Sequence, residues 1–522
     1  MRVAIVGGGP GGLLLGTLLR RRQPDAEVVV LERNRATDAF GFGVVFSNAT
    51  LGEIDAADPV LRNALLTHGQ HWDAIEVRVH GQRRRCGGNG MAAIVRSTLL
   101  RLLQEQARDE GVELRFETEV GGPEELADFD LVVAADGANS RLREARRDVF
   151  DPHWDTASAK FIWLGTTYPY DGLTFVHQDG PHGVFAAHAY PITDGLSTFI
   201  VETDEDSWRR AGLDRFDVTQ PPGPSDEVTR RYLEELFAEQ LDGHRLIGNN
   251  SRWGNFRTLR TGRWSDGRLV LLGDAAHTAH FSVGSGTKMA MEDAIVLART
   301  LGDHAGDVPA ALAAYEAERR PRVEHVQGAA GPSLSWWEHF GRYHRALDAT
   351  QFTFHFLSRS ITRERLRRRD PEFVAEVDHW WRERHGAPPL ETPLETPAGT
   401  VPRRRGRLDA AGGRICVADR VLPLVALDGD ANAPPDAARH LRLPDEVADR
   451  RALEEWLRTD LRGCPLLVVD GGDPLTRTLV SEWARMEAGV PTALVTDVDD
   501  DAAETLVLSG RADLVLGAGG AA

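Results

Sequence analysis

The N-terminal 33 residues contain the pattern that most restricts how this chain can fold. The apolar stretch VAIVG runs into the turn GGPGG, then the helix-forming stretch LLLGTLLRRR and a second apolar stretch, EVVVLER. This order predicts a strand–helix–strand unit. Gly7, Gly9 and Gly12 fit the spacing G-x-G-x-x-G directly after the first strand, and Glu32 and Arg33 end the second strand.

Each position in this motif has a physical role in binding a dinucleotide. Gly7 permits the tight turn, Gly9 lets the backbone approach a pyrophosphate, and Gly12 lets the helix pack closely on the strand. The pyrophosphate accepts hydrogen bonds from free N–H groups at the N-terminus of the helix. Glu32 is predicted to accept a hydrogen bond from a ribose hydroxyl, with Arg33 as a further cofactor contact. The sequence therefore predicts a dinucleotide-binding domain.

Two later segments repeat the pattern of a buried strand that ends in an acid and a glycine. DLVVAADGANSR places Asp136 and Gly137 at one strand end, and LVLLGDAAH places Gly273 and Asp274 at another. Acids at the carboxyl ends of parallel strands face the crevice in which dinucleotides bind. A chain that returns to one ligand from three distant segments is typical of flavoproteins, which favours FAD over NAD. Arg96, within IVRSTLLRLL, could reach the pyrophosphate as a cation or be a solvated helix arginine.

The stretch GDAAHTAHFSVGSGTKMAMEDA links the last of these acids to a helix. Asp274 is predicted to bind the hydroxyls of the flavin side chain. Gly284 and Gly286 would let backbone approach the ring, and a helix that begins near Gly286 would stabilise the anionic reduced ring with its N–H groups. The spacing H-x-x-H of His277 and His280 in a glycine-rich loop lacks helical periodicity, so no metal site is predicted.

Composition excludes several broad classes. A net charge of -18 argues against nucleic acid or anionic lipid as a general partner, because both need a basic face. Cys86, Cys416 and Cys464 show no disulfide or metal spacing, which favours a reducing cytoplasm. The sequence holds no run of eighteen apolar residues, and its N-terminus looks like a strand rather than a signal peptide. We expect a cytoplasmic protein without a membrane span.

We expect an α/β fold with several parts, because 522 residues are too many for one core. The parts are a Rossmann-like FAD-binding domain, an antiparallel-sheet substrate domain, a helical segment, a Pro/Thr-rich linker and a small α/β domain without a recognisable site. Their expected bounds are 1–157 with 265–330, 158–264, 331–386, 387–406 and 407–522. The last part is too short for the eight β/α units of a complete (β/α)₈ barrel.

The glycine motif with Glu32, the Asp136 segment and the Asp274 segment together resemble the single-component FAD-dependent aromatic hydroxylases, which have the para-hydroxybenzoate hydroxylase fold. The resemblance covers roughly residues 1–330. Phe281 and Lys288 depart from the common family pattern of Pro and Asn. With HFSVGSGTKMAMEDA, FGFGVVFSNATL and QFTFHFLSRSITRERLRRRDPEF, the chain instead is similar to the subgroup of salicylyl-CoA 5-hydroxylase and 2-aminobenzoyl-CoA monooxygenase. The violacein-pathway hydroxylase of a tryptophan derivative shares part of this pattern.

The resemblance implies that NAD(P)H reduces FAD, O₂ forms a flavin C4a-hydroperoxide, and a hydroxyl group is delivered to an aromatic ring. His280 and His188 are candidates for the base that activates the ring. Lys288 could neutralise the reduced flavin or simply face solvent. Trp163 and Tyr190 are candidate substrate contacts, although aromatic residues of a sheet are more often core.

Arg367 and Arg369 lie in the basic stretch ITRERLRRRDP, where arginine could bind the phosphates of a CoA thioester or form a solvated face. The predicted partners are an aromatic CoA thioester and O₂, in a possible homodimer. The alternatives are a hydroxylase of a free aromatic or indole substrate, an FAD reductase of the geranylgeranyl-reductase type, and a non-catalytic flavoprotein scaffold.

Overall fold

The computed structural model describes residues 1–39, 41–47, 51–217, 223, 225–280, 286–409, 411–427, 434–445, 450–461 and 463–518. The chain divides into two compact units. The first unit comprises Met1–Glu76 with Gly88–Glu338, and the second comprises Val77–Gly87 with His339–Ala522.

The strands of the described residues are numbered in chain order. They are β1 (Arg2–Val6), β2 (Glu27–Leu31), β3 (Gly43–Ser47), β4 (Gln70–Trp72), β5 (Ile75–Val79), β6 (Gln82–Cys86), β7 (Met91–Val95), β8 (Glu113–Arg115), β9 (Leu131–Ala134), β10 (Pro152–Thr166), β11 (Leu173–Gly180), β12 (Gly183–Thr193), β13 (Leu196–Thr203), β14 (Leu246–Ile247), β15 (Gly254–Thr261), β16 (Ser265–Asp266), β17 (Leu269–Leu271), β18 (Arg405–Asp409), β19 (Arg414–Val417), β20 (Arg420–Ala426), β21 (Ala438–Leu443), β22 (Leu467–Gly471), β23 (Thr492–Val495) and β24 (Leu514–Ala518).

The α-helices are numbered in the same way. They are α1 (Pro10–Arg22), α2 (Gly52–Ala57), α3 (Val60–His68), α4 (Arg96–Asp109), α5 (Arg141–Ala145), α6 (Arg147–Phe150), α7 (Glu205–Arg210), α8 (Glu227–Leu236), α9 (Ala238–Leu241), α10 (Gly286–Asp303), α11 (Val308–Ala346), α12 (Ala349–Leu357), α13 (Arg363–Arg369), α14 (Pro371–His385), α15 (Arg450–Asp460), α16 (Pro474–Met486) and α17 (Asp500–Leu508).

The first sheet of unit one is the predicted Rossmann-like layer. Its order is β16-β17-β9-β1-β2-β8, and its strands are parallel except for the β16–β17 pair. The strands are nearly continuous apolar runs, and α1 and α10 bury their apolar residues against them, as expected of a parallel sheet covered by helices. The carboxyl ends of β1, β9 and β17 therefore meet at one edge, where Gly7, Asp136 and Gly273 follow.

The second sheet of unit one is antiparallel, and its two faces carry different side chains because successive residues of each strand alternate between them. Strands β14, β10, β13, β12 and β11 are neighbours in that order. One face is apolar and packs beneath α8 and α9, with Val201 and Phe199 of β13 against Leu233 and Phe237. Successive residues of a strand point to opposite faces. The other face therefore carries the residues that alternate with these apolar ones. The sheet begins at Pro152, whereas the sequence predicted that this domain begins at residue 158.

The C-terminal part of unit two is a small α/β domain, as predicted, and its described strands close into a barrel. The order around the barrel is β18-β19-β20-β21-β22-β23-β24, and β24 pairs with β18. The pairs β18–β19 and β19–β20 are antiparallel and the others are parallel. Antiparallel hairpins need no crossover helix, so this short segment closes a barrel without eight β/α units.

Residues 387–406 differ from the expected open linker. Leu394 and Val401 pair through a two-sided backbone bridge, and both side chains are buried with Ala398 in the core of the barrel. The Oγ1 of Thr392 accepts a hydrogen bond from Nε1 of Trp381. The apolar residues placed between the prolines explain the difference, because burying them offsets the cost of ordering this segment.

A buried charged cluster lies within unit two. Glu482 on α16 accepts hydrogen bonds from the Tyr343 hydroxyl and, at 3.1 Å, from Nε2 of His355. Nε of Arg511 lies 3.4 Å from the same carboxylate. Burial and the Arg511 charge lower the pKa of His355 to about 4. Burial alone would raise the pKa of Glu482, but its contacts with His355 and Arg511 lower it to about 2.

Among the described residues, no helix combines the length and the apolar character that crossing a bilayer requires.

Candidate active site

The turn between β1 and α1 can be built only with glycine at two of its three motif positions. Gly7 has φ of +118°, and a Cβ added there would lie 2.1 Å from the carbonyl oxygen of Ala135. A Cβ on Gly12 would lie 2.2 Å from the carbonyl oxygen of Gly7. At Gly9, by contrast, an added Cβ would meet nothing within 4 Å among the described residues. Gly9 therefore borders open space at the N-terminus of α1.

Glu32 holds this turn in place from the end of β2. Its Oε2 accepts a hydrogen bond of 2.7 Å from the backbone N–H of Gly8. Its Oε1 accepts from the backbone N–H of Asn34 at 2.8 Å and from Nδ2 of Asn34 at 2.7 Å. The carboxylate thus supports the loop that borders the open space, and its predicted contact with a ribose hydroxyl remains a prediction.

A cleft of about 260 Å³ lies at the carboxyl edge of the parallel sheet. Most of the predicted cofactor residues line it together, with additional polar residues that the sequence did not single out. The predicted ones are Gly7, Gly9, Glu32, Arg33, Arg96, Asp136 and Gly137, and the additional ones include Asn34, Thr118, Asn139 and Arg141.

The loop after β9 is fixed by an arginine that sequence reasoning missed. Arg143 is buried and donates hydrogen bonds to the carbonyl oxygens of Ala138, at 2.6 Å, and Ala275, at 2.8 Å. It therefore ties the loop after β9 to the loop after β17. Burial raises the pKa of the Asp136 carboxyl, opposed by hydrogen bonds from Ser140 and from the backbone N–H of Arg141.

Asp274 lies just beyond β17 and is not among the residues that line the cleft of about 260 Å³. Asp274 is solvent-exposed at its surface. Protein atoms nevertheless surround its carboxyl, and the resulting desolvation raises the pKa of that carboxyl. The charges of His277 and Arg96 act in the opposite direction. Arg96 is one of the residues that line the cleft.

A buried charge network supports the Gly273 turn from behind. Asp293 on α10 accepts hydrogen bonds from the backbone N–H of Gly273 at 3.0 Å and from Nε2 of His277 at 2.7 Å. Its other oxygen accepts from Nε of Arg319 at 2.7 Å. His277 is thus engaged by a carboxylate of α10. The signal that could have revealed Asp293 is an acid within the apolar helical run MAMEDAIVLA.

The predicted flavin loop is described only in part. Gly284 lies outside the described residues. Gly286 is the first residue of α10, as predicted, and an added Cβ there would meet nothing within 4 Å among the described residues. Lys288, in the first turn of α10, forms a salt bridge with Glu292, which also pairs with Arg319 at 3.1 Å. Lys288 therefore has an anionic partner within its own helix, and its proposed role toward flavin remains a prediction.

Strand register places three predicted residues on one face of the antiparallel sheet. Trp163 and His188 both pair with Ile200, and Tyr190 pairs with Thr198. Directly paired residues share a face, so Trp163, His188 and Tyr190 lie on the face opposite the apolar one. The hydroxyl of Tyr190 donates to the carbonyl oxygen of Gly43 at 3.3 Å, and burial raises the pKa of Tyr190 to about 12.

The two candidate bases, His188 and His280, meet at one carboxylate that sequence reasoning missed. Nε2 of His188 lies 3.0 Å from Oε1 of Glu202, and Nε2 of His280 lies 3.9 Å from Oε2. All three residues are at most 4% exposed. The signal for Glu202 was an acid in the otherwise apolar strand STFIVET, because such an acid needs a partner when it is buried.

The candidate CoA contacts lie in the second unit. Nη1 of Arg367 lies 2.9 Å from Oε2 of Glu364, and Arg367 is also within 3.9 Å of Asp378. Arg369 ends the same helix, α13. Part of this positive charge is therefore met by neighbouring acids, and the phosphate contacts remain predictions.

The residues at the sheet edge fit FAD. Open space at Gly9 leaves room for a pyrophosphate against the N-terminus of α1, and Arg96 supplies a cation beside it. Gly137 is a second position where an added Cβ would meet nothing within 4 Å among the described residues. Arg143 links this Gly137 loop to the segment after Gly273 through its hydrogen bonds to Ala138 and Ala275.

Comparison with known proteins gives the same assignment. Residues 1–128 and 121–330 match the family described as FAD binding domain. The chain is 60% identical to salicyloyl-CoA 5-hydroxylase of a Streptomyces species, over 99% of this chain and 100% of that protein. It is 37% identical to 3-hydroxy-4-methyl-anthranilyl-[aryl-carrier protein] 5-monooxygenase of Streptosporangium sibiricum, over 65% of this chain and 89% of that protein.

Among solved structures, 2-methyl-3-hydroxypyridine-5-carboxylic acid oxygenase superimposes with a TM-score of 0.52 at 21% identity, over 65% of this chain and 92% of that chain. At this identity the likeness concerns the fold. With the matched domain, the full-length relative and the cleft at the ends of β1, β2 and β9, the chain belongs to the family of FAD-dependent aromatic monooxygenases.

Proposed function

We propose that this enzyme hydroxylates the aromatic ring of an aryl-CoA thioester of the salicylyl-CoA or 2-aminobenzoyl-CoA kind. The observation that carries the proposal is the 60% identity with salicyloyl-CoA 5-hydroxylase over 99% of this chain and the whole of that protein. The similarity therefore extends through the second unit. A further relative, 37% identical, is named for an anthranilyl group on an aryl-carrier protein.

The overall reaction consumes one NAD(P)H, one proton and one O₂ for each ring hydroxylated, and it yields NAD(P)⁺ and water. Bound FAD, once reduced, supplies the activation of O₂ that transfers a hydroxyl group to an electron-rich ring. The N-terminus of α1, with Gly9 at its cap, would hold the pyrophosphate, and Arg96 would neutralise part of its charge. The N-terminus of α10 would face the ring of the cofactor.

The side chains of the antiparallel sheet would hold the substrate. Trp163 and Tyr190 provide aromatic surface on the same face as His188. His188 or His280 would accept a proton from the hydroxyl or amino substituent of the ring, which raises the electron density at the carbon to be hydroxylated. The aromatic rings of the face exclude water around that proton transfer. In the second unit, Arg367 and Arg369 remain the proposed contacts for CoA phosphates.

The experiment is a substrate panel with the purified holoenzyme. NAD(P)H and O₂ consumption are measured with salicylyl-CoA, 2-aminobenzoyl-CoA, the matching free acids and a tryptophan-derived indole, and products are identified by mass. We expect only the thioesters to give tightly coupled consumption and a product with one added oxygen atom. Hydroxylation of the free acids or the indole in preference would overturn the thioester proposal. NAD(P)H oxidation with no O₂ uptake would indicate a reductase instead.

We further propose that the protein forms a homodimer and that it is located in the cytoplasm. Cys86, Cys416 and Cys464 form no disulfide among the described residues, which is compatible with a reducing compartment. Light scattering coupled to gel filtration tests the first, and fractionation of the source cells tests the second.

A further inference from the structure

Glu202 is a buried acid to which the proposed function gives no role. It lies on β13 and is 1% exposed. Each of its two carboxylate oxygens faces the Nε2 atom of a different histidine, His188 at 3.0 Å and His280 at 3.9 Å. His188 belongs to β12, whereas His280 belongs to the segment between β17 and α10. The carboxylate therefore connects the substrate sheet with the segment that leads to the predicted flavin loop.

The surroundings of this histidine–glutamate–histidine cluster are aromatic. The ring of His188 lies 4.2 Å from that of Trp337 on α11 and 4.8 Å from that of Phe175 on β11. The ring of His280 lies 4.8 Å from that of Phe256 on β15. Little water can enter such a site, so the interaction between the carboxylate and the imidazoles is weakly screened.

Titratable groups on the neighbouring strands β10, β11 and β15 have contacts of their own. On β11, His177 stacks on Trp337 with ring centroids 6.1 Å apart. On β10, Lys160 donates to Asn255 at 2.8 Å and lies 3.9 Å from Glu205. On β15, the guanidinium of Arg257 stacks on Trp154 at 3.9 Å. Glu202 is the carboxylate that the described contacts place within 4 Å of both imidazoles.

Charge balance determines what the cluster can do. With both imidazoles neutral, the three side chains together carry one negative charge. With one imidazole protonated, their net charge is zero. We propose that Glu202 is a positioning residue that makes His188 and His280 a one-proton acceptor for the substituent of the substrate ring, an inference that rests on the proposed function.

The proton transfer involves no oxidation or reduction. The Glu202 carboxylate lies within 4 Å of both Nε2 atoms, so its negative charge favours the protonated form of either imidazole. The O–H or N–H bond of the ring substituent breaks, its electron pair stays on the substituent, and the proton forms a bond to an imidazole nitrogen. The imidazolium is then paired with the Glu202 carboxylate. The proton returns to the substituent or to solvent when the product leaves.

The first test follows the histidines themselves in the full-length holoenzyme. Selectively labelled histidine is titrated by NMR, and the His188→Asn and His280→Asn variants assign the two signals. In Glu202→Gln, which keeps the shape and removes the charge, we expect both titration midpoints to move to lower pH. Glu202→Asp should keep them near those of the parent. Glu227→Gln, an exposed control on α8, should cause no shift.

The second test measures hydroxylation of a phenolic aryl-CoA as a function of pH. We expect Glu202→Gln to lower kcat by about tenfold to a hundredfold, within the range that a positioned base contributes, and to displace the acidic limb of the profile while KM changes little. Glu202→Asp should recover most of the rate. A loss of rate with an unchanged pH profile would indicate a merely structural role and overturn the proposal.

The two tests also separate this inference from the proposed function. Unchanged midpoints in Glu202→Gln would overturn the inference whatever the substrate, because the titration requires no substrate. If that variant does not fold, the His280 midpoint in His188→Asn replaces it. A rise supports a proton shared through Glu202, and no change contradicts it. If the midpoints shift but the enzyme hydroxylates no aryl-CoA, the inference about Glu202 stands and the proposed thioester substrate is rejected.

Discussion

Gly9 and Gly12 lie in the same turn, but a methyl group added to each would meet different surroundings. At Gly12 the added carbon would collide with the backbone of Gly7, so α1 would have to move away from β1. Gly9 has φ of -75°, which any residue adopts, and borders open space among the described residues. One glycine is therefore required by the fold, and the other by the ligand that we place beside it.

This contrast gives a prediction for a pair of variants. Gly9→Asp should leave the thermal unfolding of the apoprotein nearly unchanged but weaken FAD binding at least about a hundredfold, or roughly 3 kcal/mol, because it places a negative charge against the pyrophosphate. Gly12→Ala should destabilise the apoprotein itself by about 1–3 kcal/mol. FAD titration by absorbance and calorimetric unfolding measure both. Equal FAD affinity in Gly9→Asp and the parent would contradict the placement.

The residues that the sequence could predict are those whose partners lie close by in the chain or follow a strand end. Gly7, Gly12 and Glu32 belong to one continuous unit, so spacing alone located them. Glu202 meets His188 only because β12 and β13 adopt a particular register, and it meets His280 through a segment 78 residues later. Such pairings depend on the tertiary fold, which spacing does not encode.

In helix α10 the contacts of a buried residue likewise depend on the tertiary fold. Its start at Gly286 follows from the glycines and the apolar periodicity, whereas the role of its buried Asp293 does not. Asp293 contacts Arg319 of α11 as well as the Gly273 turn, so it joins three elements. Burial alone would raise the pKa of Asp293, but His277 and Arg319 lower it below its ordinary value.

We expect Asp293→Asn to cost about 3–5 kcal/mol, the usual loss when one partner of a buried ion pair is removed. The matched control is Asp303→Asn on the same helix, an exposed pair with Arg299, which should cost at most about 1 kcal/mol. Because the pKa of Asp293 is lowered by folding, its stabilisation is present at neutral pH and is lost as pH falls through the acid range. Urea unfolding at several pH values checks both, and equal costs for the two variants would contradict the network.

Among elements, the parallel sheet was predictable and the barrel closure was not. Strands β1, β9 and β17 are apolar runs that are followed within two residues by Gly or Asp. Closure of the C-terminal domain requires β18 to pair with β24, more than 100 residues later. The interior is then filled partly by Leu394 and Val401 from the expected linker. Neither pairing has a local signal.

For the molecule as a whole, the described buried charges make stability depend on pH in a definite direction. In the second unit, folding lowers the pKa of His355 to about 4 and that of Glu482 to about 2. As pH falls below about 6.5, the unfolded chain binds a proton at His355 that the folded unit does not. Below about 4.5, the same holds for Glu482. Both groups therefore make acid destabilising.

Replacing His355 should remove part of the pH dependence of the stability of the second unit. Between pH 7 and about 4, His355 should account for a loss on the order of 3 kcal/mol, at about 1.4 kcal/mol per pKa unit. His355→Asn should flatten this slope, whereas His379→Asn, an exposed control on α14, should not. Pulse proteolysis in urea, with fragments of the second unit identified by mass, measures the stability at each pH. An unchanged slope in His355→Asn would contradict the assignment.

The pairing of β24 with both β18 and β23 has a practical consequence for engineering this protein. A ring of strands has no open edge, and deleting Leu514–Ala518 would create two at once. Unpaired strand edges invite association with other chains. Shortened versions that stop before β24 should therefore aggregate, and reporter sequences are better attached beyond Ala518 than in place of that last strand.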